Sequence, residues 1–335
     1  MNYIKCLLVT ALVLLGGVAA GQDKVRMAEH QHRLQVLFER VASAPTDNER
    51  YLASEEAVWQ LGKALEEDRS ERWHWDLPHS VSVLTSPDGR FRVFSWAVVR
   101  DGGEYECFGA VQFYNDHEEE FQYLVLNDKS DELLNREESV LAADSWFGAI
   151  YQDLIQTTAG DRTVYTLLGW TGVDNLTDRR VIEPVVMRGG VPQFGAPVFR
   201  RERNLRRVVI EYRDGAAVQL AYEEQTVQTV ERQRVKVKGH DGRRGSSFRA
   251  QTSRRRTVEK TKEHRERMII FDEVEPQIQG MEGLFQYYIP SGVELAYVWN
   301  DGKWEPRAGA QGRLKDKKLN KDFAPLPKEA PAYKY

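Results

Sequence analysis

Residues 162–199, RTVYTLLGWTGVDNLTDRRVIEPVVMRGGVPQFGAPVF, decide the fold. Val164, Tyr165, Leu167, Leu168 and Trp170 are the β-branched, aliphatic and aromatic residues of a strand, and Gly169, Gly172, Asp174 and Asn175 supply the turn chemistry that ends it. Val181 to Met187 reads as a second strand. Its Pro184 points to a sheet edge or a bulge, because proline cannot donate to a ladder. Gly189, Gly190 and Pro192 punctuate the chain again before a third strand, Phe194 to Phe199.

The same rhythm extends in both directions. Upstream, Ser80 to Leu84, Phe91 to Val99, Phe108 to Tyr114 and Phe121 to Asn127 alternate as strands, separated by SPDG, RDGGE and YNDHEEE. Asp88-Gly89 and Asp101-Gly102 are tight-turn signals, so neighbouring strands run antiparallel. Asp128 to Asp144 is charged and irregular, and Trp146 to Gln156 returns to strand. Downstream come Arg207 to Tyr212, Val218 to Glu223, Met268 to Val274, Gly283 to Tyr288 and Glu294 to Trp299, with Asn300-Asp301-Gly302 turning onto Trp304. Two amphipathic helices precede these strands. The first spans Asp23 to Ala42, with Met27, Leu34, Leu37, Phe38 and Val41 on one face; the second starts at Glu49 or Ser54 and ends at Glu67. The fold class is therefore mainly β: an antiparallel meander forming a sandwich or barrel-like domain, with a small propeller as the alternative.

YTLLGW, Asn175 and Thr177, FGAPVF, VVIEYRDGAAVQLAYEE, MIIFDEVEP and NDGKW together resemble a family of uncharacterised exported proteins of Bacteroidetes bacteria. The resemblance runs from about Asn48 to Trp304. It implies an exported compartment and a domain extent, and carries no catalytic or ligand residue. That family continues the GW turn with an acid, where this chain has Thr171.

Residues 1–21 read as a signal peptide: Lys5, then the apolar CLLVTALVLLGGVAA, ending in small residues. The run is too short for a spanning helix, and Cys6 is misplaced for a lipid anchor. The expected product is soluble, periplasmic or secreted, with no membrane anchor. Residues 22–72 form the helical segment, 73–305 the β domain, and 306–335 a flexible tail rich in proline and lysine. Cys107 is then the single remaining cysteine of the two in the chain, and its strand context, YECFGAVQFY, predicts a buried structural thiol.

The full chain carries a formal charge of −4, unevenly spread. Between residues 230 and 267, fourteen basic residues face five acidic ones, an excess of nine positive charges. Two readings stand side by side. One is a mobile, solvated insertion, or a long hairpin with arms Thr226 to Lys238 and Arg256 to Phe271. The other is a contact for an anionic polymer or an acidic protein or glycan, through Arg243, Arg244, Arg249, Arg254, Arg255 and Arg256. Export favours an envelope component such as lipopolysaccharide over nucleic acid, and the segment lacks the interleaved aromatics of a single-strand groove.

Catalytic signatures are missing from the sequence: no GxSxG, HExxH, CxxC or phosphate loop occurs. His74, Asp76 and His79 are the nearest approach to a metal cluster, but their spacing suits a packed linker. His30 and His32 point apart on a helix. Asp174, Asn175 and Asp178 lack the ligand spacing of a calcium loop. No cofactor or metal is expected. The sequence points to a binding or structural protein of the cell envelope; the alternative is an envelope hydrolase acting on glycan or peptide through an unidentified carboxylate site.

Overall fold

The computed structural model describes residues 3–200, 202–238 and 253–307, with side chains for 23–200, 202–227 and 261–307. Helix α1 runs without interruption over Tyr3–Ser43, and α2 over Asp47–Leu65. Thr46 starts α2. Its hydroxyl accepts the Glu49 N–H at 3.3 Å while the Glu49 carboxylate accepts the Thr46 N–H at 3.2 Å, a reciprocal cap that satisfies two orphan donors. The helix therefore begins at Asp47 rather than at Glu49 or Ser54. The expected apolar stripe, Met27, Leu34, Leu37, Phe38 and Val41, is buried together with Ala57, Leu61 and Leu65.

Thirteen strands are described, all in antiparallel sheets. Strands β1 (Ser82–Thr85), β2 (Phe91–Val99), β3 (Tyr105–Asn115) and β4 (Glu120–Asn127) form the first sheet in sequence order. The second comprises β5 (Ile150–Ala159), β6 (Arg162–Gly172), β7 (Thr177–Arg188), β8 (Val191–Phe194) and β9 (Val208–Arg213). Strands β10 (Leu220–Lys238), β11 (Ser253–Pro276), β12 (Tyr288–Asn300) and β13 (Lys303–Arg307) form the third.

Alternation along the strands explains how the sheets layer. In β2, Phe94, Trp96 and Val98 pack against α1 and α2, whereas Phe91 and Val93 face the opposite way, towards Tyr165, Leu167 and Val181 of the second sheet. In the second sheet, Val164, Leu168 and Ile182 face on towards Ile269, Phe271, Tyr297 and Trp304 of the third. Helices, first sheet, second sheet and third sheet thus form successive layers, and the first two sheets are apolar on both faces. Each pair of layers shares a core and no sheet closes on itself, so the architecture is sandwich-like rather than a barrel or a ring of blades.

Several local readings are corrected. Pro184 lies in the central strand β7, not at an edge. The far side of β7 pairs with β9 through Ile182 and with β8 from Val185, so Pro184 falls where the partner changes and no ladder donor is required. Gly169 is inside β6, where a Cβ would sit 2.8 Å from the Tyr151 ring; close packing, not a turn, requires it. The strand expected from Trp146 starts at Ile150, because Trp146, Phe147 and Ala149 are spent filling the core between sheets. Gly283 to Tyr288 contains a 3-10 turn at Phe285–Tyr287 and enters β12 only at Tyr288. Phe194 to Phe199 is strand only at its start, β8 ending at Phe194. Pro306, assigned to the tail, belongs to β13, an edge strand where proline is tolerated. The rest of the expected tail, 308–335, lies outside the described residues.

Candidate functional site

The basic segment is built largely as strand. Register between β10 and β11 is unbroken from Leu220↔Phe271 to Lys238↔Ser253, whereas β12 pairs with β11 only from Met268 onwards. Fifteen cross-strand pairs, Glu224↔Arg267 to Lys238↔Ser253, therefore run beyond the third strand as a two-stranded ribbon roughly 50 Å long at about 3.3 Å per residue. Residues 230–238 and 253–267 are thus regular arms rather than an unstructured insertion.

Charge is distributed unevenly along that ribbon. Near the sheet, Arg265 pairs with Glu224 at 3.2 Å, Arg307 with Glu266 at 2.7 Å, and the Arg267 guanidinium lies 5.3 Å from the centre of the Tyr222 ring. Further out, the register sets Glu231 opposite Lys260 and Arg232 opposite Glu259. Beyond these the pairs are Arg234↔Thr257, Val235↔Arg256, Lys236↔Arg255, Val237↔Arg254 and Lys238↔Ser253, with six basic residues and no acid. Lys236 and Arg255 are directly opposite, an arrangement that like charges disfavour. Of the six arginines expected to bind, Arg254, Arg255 and Arg256 fall in this stretch; Arg243, Arg244 and Arg249 lie outside the described residues.

Compared with protein families, curated proteins and solved structures, the chain matches none.

The metal-like clusters have structural roles. Among the described residues, no group of three His, Cys, Asp or Glu side chains is placed to hold a metal ion. His74 and His79 are exposed, and the linker between them is tied to α1 through its backbone: Gln35 donates to the Asp76 carbonyl at 2.7 Å and Gln31 accepts the Asp76 N–H at 3.1 Å. His30 meets Gln60 through Nδ1 at 2.5 Å rather than converging with His32. Asp174 accepts the N–H groups of Leu176 and Thr177 at 2.7 and 2.9 Å, and Asn175 donates to the Gly102 carbonyl at 2.6 Å. The Asp174 bonds are local turn bonds, as short polar side chains make, and the Asn175 bond ties this turn to the one at residues 101–103. Asp178 lies apart from them in β7. Burial and the negative charge of Asp214 push its pKa up to about 7.

Cys107 is buried, with its sulfur 3.3 Å from the Thr171 hydroxyl. Burial, reinforced by the charge of Asp128, raises the thiol well above its usual range, the reverse of what a nucleophile needs.

Two features escaped sequence reasoning. One is a buried polar network on β7, where Glu183 meets Arg207 and Tyr151; the charged residue inside the apolar run VIEPVV was its only signal. The other is an open cleft of about 720 Å³ between α2 and the β3–β4 hairpin. Tyr51, Val58 and Trp59 form its helical wall, and Phe108, Tyr123 and Val125 come from the sheet. Gly62 lets the wall approach: a Cβ there would lie 3.1 Å from the Tyr123 hydroxyl. Glu66 accepts from that hydroxyl at 3.0 Å and from Lys63 at 3.1 Å, bonds that lower its pKa. Trp59, apart from the main apolar stripe of α2, was the residue that could have marked this cleft.

Proposed function

We propose that this protein is an exported binding protein of the cell envelope, which contacts an anionic polymer or an acidic partner through the outer part of the β10–β11 ribbon. The observation that carries this reading is the charge gradient along the register. Acids stand opposite bases in the register nearer the sheet, and from Arg234 outwards the register sets no acid opposite a base. A two-stranded ribbon with like charges in register gains stability when an anion lies across it, and clustered cations raise the local concentration of such ligands. Export is supported by the N-terminal apolar run that precedes Gln22; among the described residues no helix is long and apolar enough to cross a membrane.

Lipopolysaccharide and poly-glutamate are the probes for the test. Affinity should fall steeply with salt, since each neutralised site releases counterions. Replacing Arg254, Arg255 and Arg256 together by Gln should weaken binding and reduce the salt slope by about one for each arginine. Binding that is insensitive to salt, or unchanged in the triple variant, refutes the assignment.

A further inference from the structure

We infer that the cleft between α2 and the β3–β4 hairpin is a second binding site, independent of the ribbon, and that its ligand is a neutral carbohydrate. Trp59 is 63% exposed in the middle of α2, whereas Trp96, Trp146 and Trp304 are fully buried. Its ring stands at a cleft whose volume falls within the range of small-ligand sites, about 300–1,000 Å³. Tyr51, Phe108 and Tyr123 extend the aromatic surface into it.

The charges present select among ligand classes. Four carboxylates line the cleft, from Glu55, Glu66, Glu106 and Asp128, against the two ammonium groups of Lys63 and Lys129. Both lysines are paired, Lys63 with Glu66 at 3.1 Å and Lys129 with Glu132 at 2.7 Å. An anion therefore gains nothing here. A cation is disfavoured at Trp59, because the Lys63 ammonium already lies 6.0 Å from its ring centre. A fully apolar segment would have to strip water from the carboxylates without replacing their hydrogen bonds. A sugar ring satisfies both demands. Its C–H face lies against the negative face of an aromatic ring, and its hydroxyls donate to carboxylate oxygens such as those of Glu55 and Glu66.

Titration calorimetry of the full chain with cellohexaose, chitohexaose and maltohexaose tests the proposal. At least one should bind saturably, with an affinity nearly insensitive to salt because no ion pair forms with the ligand. Trp59→Ala should weaken it by about tenfold or more, a loss of about 1.4 kcal/mol, while leaving the melting temperature close to wild type, since the side chain is exposed. Gly62→Val, which crowds Tyr123, should weaken it as well. Ribbon binding should persist in Trp59→Ala, so failure of one site is distinguishable from failure of the other. No saturable heat with any of the three sugars overturns the proposal, as does equal affinity in Trp59→Ala. Binding of oligolysine that requires Trp59, with no sugar bound, makes the cleft a cation site and overturns it too.

Discussion

Arg207 and Glu183 form an ion pair in which both side chains are completely shielded from solvent, with Nε 2.7 Å from Oε1. Both partners make further hydrogen bonds that offset the cost of that burial. Arg207 also donates to the carbonyls of Ser139 at 3.0 Å, Phe194 at 3.3 Å and Arg136, and its guanidinium lies 5.7 Å from the centre of the Phe147 ring. Glu183 Oε2 accepts the Tyr151 hydroxyl at 2.5 Å, which accepts the Trp146 indole N–H at 2.8 Å. The network ties β5, β7 and the 136–139 loop to one point between the first two sheets.

Arg207→Met should therefore destabilise the protein by about 3–5 kcal/mol, because Glu183 is left as a buried charge without a partner. Glu183→Leu should be damaging for the converse reason. The double variant should be less destabilised than the sum of the single ones, with a coupling on the order of 2 kcal/mol. Urea unfolding of the four proteins measures this. Additive losses would mean that the pair is not a unit.

Asp178 provides a pH test. Its folded pKa, about 7, is raised chiefly by burial and next by Asp214, while in the unfolded chain it returns to about 3.9. The folded state thus holds the proton more tightly. Asp178 contributes a stability that is present below pH ~4 and lost as pH rises towards ~7, with a slope of at most about 1.4 kcal/mol per pH unit. Asp178→Asn should remove that slope and be more stable than wild type at pH ~8. Parallel stability profiles for the two proteins from acid to neutral pH would refute the assignment.

Cys107→Ser should remain folded with a loss of about 1–2 kcal/mol, since a hydroxyl enters an apolar site that offers it the Thr171 hydroxyl as a partner. Its raised pKa and burial predict slow alkylation in the native state and fast alkylation in urea. Native labelling at the rate of a free thiol would show the side chain to be accessible and reactive.

Much of the fold was legible in the chain itself. Strand β2 spans Phe91–Val99, the limits its alternation marks, and the Asp-Gly turns at residues 88–89 and 101–102 lie between paired strands as expected. A long hairpin over the basic stretch was one of the readings that the sequence left open, and the register of β10 with β11 decides for it. The basic stretch was legible as a cluster of charge, because charge clustering is a local property that survives any fold. The cleft was not, since its walls come from residues 51–66 and 106–129, and only the tertiary structure sets the exposed Trp59 beside the sheet.

What the sequence determined by itself was therefore local: which residues alternate, where the tight Asp-Gly turns of the first sheet fall, and which segment is positively charged. The order of the layers was decided by the tertiary structure alone. An apolar face states that it must be covered but not by what, and the covering groups come from far along the chain: Trp304 donates its indole N–H to the Thr166 hydroxyl at 3.1 Å across 138 residues. The same holds for Glu183 and Arg207. A carboxylate inside an apolar strand is costly wherever it lies, and only the pairing of β9 with β7, which sets Val208 opposite Ile182, brings the guanidinium that makes its burial possible.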